Sequence, residues 1–161
     1  MISENLQLAI DALDIQDVYL KELEARSLGG FEPKYFQNFD SLTVQTKHLA
    51  KRAEMVRLDS DGELLRVFIE FGARWVDESS KDKAQTVKAL VEAEFVAEYK
   101  VKSKLDQASV NEFAEKNASY HVWPFWREVL SNQCLKMYLP KLILPTMQLP
   151  HHKLDEKNKK S

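Results

Sequence analysis

The chain has 161 residues, 44% hydrophobic and 30% charged, which suffices for one domain with a real apolar core. A formal net charge of -2 argues against nucleic-acid binding driven by bulk positive charge, and the single cysteine, Cys134, excludes an intrachain disulfide. No run approaches the roughly 18–20 apolar residues of a membrane-spanning helix, and Glu4, Asp11 and Asp14 stand where a secretory leader needs basic and then apolar residues, so the expectation is a soluble, cytoplasmic protein without membrane insertion.

Ser3 is placed to cap a short helix, with Glu4 in its first turn and Leu6, Ala9, Ile10 and Leu13 recurring at helical spacing. Asp14 to Arg26 is ambiguous: Tyr19, Leu23 and Ala25 suggest a strand, but Lys21 breaks the alternation. Gly29, Gly30 and Pro33 end that segment. Leu42 to Leu58 reads as a long strand whose parity changes midway, which a bulge near Leu49 would reconcile. The turn Asp59-Ser60-Asp61-Gly62 follows. The next strand alternates cleanly, with Leu65, Val67, Ile69, Phe71, Ala73 and Trp75 on one face.

After the polar run Asp77 to Lys83 comes the clearest strand, Val87 to Val101. Its odd positions are all apolar, and Lys88, Glu92, Glu94, Glu98 and Lys100 oppose them, with Leu90 and Val96 as exceptions. Alanine and glutamate favour helix here, but eight alternating positions outweigh that weak preference. Ser103 to Lys116 turns helical, and a second helix includes Pro124 to Met137. The tail 151–161 carries four lysines against Asp155 and Glu156, lacks apolar periodicity and is expected to be a disordered basic tail. The whole reads as an α+β fold: one domain over 1–150, with a four-stranded antiparallel meander and helices packed on one side.

No motif for catalysis or for a metal stands out. His121 and Cys134 are thirteen residues apart without an orienting partner, and His151 and His152 lack a third ligand at a usual spacing. Glu92, Glu94 and Glu98 share a face on which carboxylates act as acid and base in some sites, but a solvated strand face is the simpler account. The aromatic set Tyr120, Trp123, Phe125 and Trp126 surrounds Pro124, which lacks an amide proton and opens or kinks a helix. Its face either packs on the sheet or lines a groove.

At these residues the chain resembles the SecB family of export chaperones. The resemblance rests on Asn117, Trp123-Pro124-Phe125 and Arg127-Glu128, then Tyr138-Leu139-Pro140 where the family has a Gly-Phe/Leu-Pro step, and Leu142-Ile143-Leu144-Pro145. Val18-Tyr19 with Lys21-Glu22 and Leu90-Val91-Glu92 are similar to the family's first and fourth strands, and the whole likeness runs from Ile15 to Gln148. It implies an ATP-independent holdase, a dimer of dimers whose apolar grooves bind unfolded client polypeptides, and no cofactor. Each client side chain buried there would contribute about 25 cal/mol per Å² of apolar area, and many weak contacts add by multivalency. Carried over, the client-binding residues are Tyr19, Leu23, Leu90, Phe95 and Trp126. Glu22 and Glu92 fall where the family contacts the SecA motor. The basic end and near-neutral charge depart from the family's acidic habit and fit solitary members that protect an antitoxin. Two other readings remain at this point: a small α+β pocket enzyme using Glu92 as acid or base, and an adaptor binding one folded partner through a sheet edge.

Overall fold

The two strands with the cleanest alternation, β3 (Glu63–Val76) and β4 (Val87–Val101), lie side by side at the centre of one sheet. β1 (Leu13–Ser27) and β2 (Thr43–Arg57) form its edges, in the order β1-β4-β3-β2, antiparallel throughout. The structure is a computed structural model and describes residues 1–83 and 86–144. The expected tail 151–161 and the end of the extended segment at Pro145 lie outside the described residues.

The expected meander holds for β2, β3 and β4 and is corrected at β1, which pairs with β4 instead of β2. A hairpin needs a short turn. The Leu28–Leu42 connection is much longer and holds two single-turn helices, Pro33–Tyr35 and Phe39–Ser41. It starts against β4, where Leu28 N–H donates to the Lys88 carbonyl at 2.9 Å, and carries the chain to the opposite edge.

Alternation gives the sheet two unlike faces. The odd positions of β3 and β4, from Leu65 to Trp75 and from Ala89 to Tyr99, are buried beneath three helices. α1 (Glu4–Ala12) starts where Ser3 accepts from the Leu6 amide at 3.1 Å. α2 (Gln107–Lys116) starts where Asp106 accepts from the Ser109 amide at 2.8 Å. α3 (Ala118–Met137) lays Ala118, Val122, Trp126, Leu130 and Cys134 on the sheet at helical spacing. Pro124 does not open α3; it sits inside it, and the Tyr120 carbonyl loses the amide that would have bonded it.

α3 ends at Tyr138, whose φ of 58° is left-handed and whose N–H reaches the Cys134 and Leu135 carbonyls. That conformation suits glycine. Tyr138→Gly is expected to raise stability by roughly 0.5–1 kcal/mol, because the steric cost of a Cβ at positive φ exceeds the added backbone entropy and the loss of the exposed ring's contact with Lys34. Urea unfolding checks this; a lower midpoint would show that the ring holds the chain end in place.

Candidate functional site

The even-numbered face of β3 and β4 carries no helix among the described residues, yet Phe68, Leu90 and Val96 there are only 2%, 6% and 0% exposed. Long charged side chains cover Phe68. The Arg52 guanidinium carbon lies 3.7 Å from the Phe68 ring centre, with Lys21 and Arg66 at 5.2 and 5.1 Å. Arg66 also donates to the Tyr19 hydroxyl at 2.7 Å and to Glu98 at 3.0 Å.

Across β1, β4 and β3, Glu22, Glu94 and Glu70 stand directly in register, a row of like charges that is unfavourable unless cations intervene. They do. Lys51 lies 3.3 Å from Glu94 and 3.5 Å from Glu70, and Lys21 lies 3.6 Å from Glu94. The Lys47 ammonium bonded to Glu70 holds that carboxyl below the usual range. Glu92 accepts twice from Arg74, at 2.9 and 2.7 Å. A shallow cavity of about 150 Å³ opens here between Glu22, Glu24, Lys51, Glu70, Glu92 and Glu94. Among the described residues no cluster of His, Cys, Asp and Glu is placed to hold a metal ion.

The other face offers something different at its β1 edge. Ile15, Leu20 and Leu23 stand opposite the buried Tyr99, Phe95 and Ala93, on the helix side, and remain 45%, 40% and 37% exposed. They form an apolar row along a fifteen-residue strand whose outer edge is unpaired among the described residues.

The residues singled out from the sequence therefore fall into three places. Tyr19, Glu22, Leu90 and Glu92 share the charged face, where Tyr19 is half-buried, Leu90 buried and Glu22 exposed, with no ion pair among the described residues. Leu23 lies on the apolar edge row. Phe95 and Trp126 are core residues, 1% and 2% exposed, with Trp126 stacked 5.6 Å from Phe71. His121 and Cys134 form no pair: His121 meets the Tyr99 hydroxyl at 2.9 Å, and burial pushes the Cys134 thiol up to about 11. Ile15 and Leu20 were missed because bulges at Ile15/Asp17 and Leu20/Glu22 shift the parity of β1.

The fold has a solved counterpart. The chain superposes on a SecB-like chaperone of Mycobacterium tuberculosis, solved in complex with the ChAD peptide of the HigA1 antitoxin, with a TM-score of 0.70 over 92% of this chain and 99% of that one at 15% identity. The fold is SecB-like. No protein-family model matches the chain, and no curated protein does either. In this SecB-like fold the apolar row of β1 and the ion-paired face lie on opposite sides of one sheet. No helix among the described residues is long and apolar enough to cross a membrane.

Proposed function

We propose that this protein is an ATP-independent holdase chaperone that binds unfolded or aggregation-prone polypeptides, with an antitoxin-like dedicated client as the best-supported case. The observation that carries the reading is the exposed row Ile15, Leu20 and Leu23 on the free edge of a SecB-like sheet. The fold alone carries no activity, but its likeness to a chaperone captured with an antitoxin peptide supports this choice of client. An extended client strand laid beside β1 would gain main-chain bonds from the edge and bury its apolar side chains on that row.

Leu23 is the client-contact residue the geometry favours most among those named from the sequence, with Tyr19 and Leu90 available once the covering arginines and lysines swing aside. Phe95 and Trp126 hold the surface in place from below. Glu22, exposed and without an ion pair among the described residues, is the better candidate for docking a basic partner such as SecA, since Glu92 is already engaged by Arg74 and Lys47. A homotetramer acting in the cytoplasm in protein export, or beside a toxin–antitoxin pair, completes the proposal.

The test is fluorescence anisotropy of a labelled, permanently unfolded polypeptide titrated with the protein in the absence of nucleotide. Saturable binding at micromolar concentrations or below is the expected result. No binding of that polypeptide or of an antitoxin-derived peptide would remove the holdase reading.

A further inference from the structure

We infer that β1 selects its extended client by charge: the strand laid along its free edge carries a lysine or arginine opposite Glu22, between apolar residues opposite Leu20 and Leu23. The inference deepens the holdase reading and rests on it for the nature of the occupant, an unfolded chain.

The row Glu22, Glu94 and Glu70 crosses β1, β4 and β3 in register, so Glu94 has a carboxylate on either side of it. The two sides are served differently. From β2, Lys51 lies 3.5 Å from Glu70 on the neighbouring strand and, one strand further in, 3.3 Å from Glu94 Oε2. Lys47 spans the same two strands: it bonds Glu70 and lies 3.6 Å from Glu92. Its stem crosses β3 at Gly72, where a Cβ would stand only 3.1 Å from it. A lysine on the outermost strand of this face thus reaches carboxylates one and two strands inward.

The β1 side is less well served. Glu22 is exposed and has no ion pair among the described residues. Glu94 Oε1 is buried without a hydrogen-bond partner. Lys21 stands 3.6 Å from it, outside hydrogen-bonding range, with its ammonium over the Phe68 ring. The cavity of about 150 Å³ is lined by both glutamates together with Glu24 and Lys51. Two strands outward from Glu94 in this direction lies the position beyond the β1 edge, on whatever strand β1 recruits. A lysine there is placed to Glu22 and Glu94 as Lys51 is placed to Glu70 and Glu94.

Alternation fixes what flanks that cation. A residue opposite Glu22 points to the charged face, so its neighbours point to the helix side, opposite the exposed Leu20 and Leu23; β4 sets the same register from within, through Phe95, Glu94 and Ala93. The element read is an extended apolar–cation–apolar tripeptide, and an acidic residue at its centre would face Glu22, Glu24 and Glu94. A second copy of this chain fits the edge less well. Its β1 would bring Asp14, Asp17, Glu22 and Glu24 to this face against Lys21 and Arg26. Its β2 has Lys47 and Lys51 already engaged and is bulged between Ala50 and Arg52.

The experiment titrates three short labelled peptides, identical except at the centre, which reads Ile-Lys-Val, the same with the lysine ε-acetylated, or Ile-Glu-Val. Anisotropy is followed with the wild type and with Glu22→Gln, a substitution at an exposed residue that leaves the fold intact. The wild type is expected to bind the lysine peptide about tenfold more tightly than the acetylated one, and the glutamate peptide most weakly. In Glu22→Gln the gap between lysine and acetyl-lysine is expected to shrink severalfold. Equal affinity of the wild type for lysine and acetyl-lysine, an undiminished preference in Glu22→Gln, or no binding of any of the three overturns the proposal. So does an oligomer that Leu20→Asp/Leu23→Asp dissociates, which would assign the edge to a second copy. An unfolded polypeptide titrated alongside separates the two failures: if it binds while the peptides are not discriminated, the charge rule falls and the holdase stands.

Discussion

Trp126→Asp is expected to unfold the domain, not to leave a folded protein that binds its client less well. Trp126 is 2% exposed and stacks at 13° on Phe71, which in turn stacks on His48 and meets Phe95 and Trp123 edge-on. Removing a buried tryptophan costs about 3–5 kcal/mol in lost contacts and cavity. A carboxylate in that space has no partner and adds its desolvation cost. Domains of this size are held by only about 5–15 kcal/mol in all. Far-ultraviolet circular dichroism and urea unfolding check the result. A cooperative variant of near-native midpoint would mean that Trp126 is not a core residue and would return it to the client surface.

The paired substitution Leu20→Asp/Leu23→Asp is expected to do the reverse. Both side chains are more than a third exposed on the free edge, so their loss should move stability by no more than about 1 kcal/mol. Each offers apolar area that a client would cover, at about 25 cal/mol per Å². Losing two such contacts, and placing two carboxylates beside Glu22, should weaken binding of an unfolded polypeptide by about tenfold or more. Anisotropy titration, with gel filtration to confirm an unchanged elution volume, measures this. Unchanged affinity in the folded variant would move the client site off β1.

These two substitutions also mark where sequence reasoning reached its limit. Periodicity placed Phe95 and Trp126 on apolar faces correctly, but it reports which face is apolar and not what covers it. The central strands β3 and β4 were legible because each is shielded by a strand on both sides and by helices above, which imposes strict alternation. β1 was not, since an edge strand bulged at two points has no single apolar parity. The bulge anticipated near Leu49 does exist, between Ala50 and Arg52, and the extra residue Lys51 is the one that reaches Glu94. Glu94 looked solvated in the pattern and is 5% exposed, because lysines from both edge strands close over it. The apolar exceptions Leu90 and Val96 on the polar face, with Phe68 beside them, were the available hint that this face is not simply solvated: all three are buried, and cations lie over Phe68. The pairing of β1 with β4 depends on a long connection and left no local mark.

Light scattering from a chemically denatured client diluted into buffer, with and without the protein and without nucleotide, tests the central claim most directly. The account predicts suppression of aggregation at near-stoichiometric ratios, strongest for an antitoxin-like client and lost in Leu20→Asp/Leu23→Asp. Aggregation that proceeds unchanged for every client, with the protein folded throughout, would contradict it.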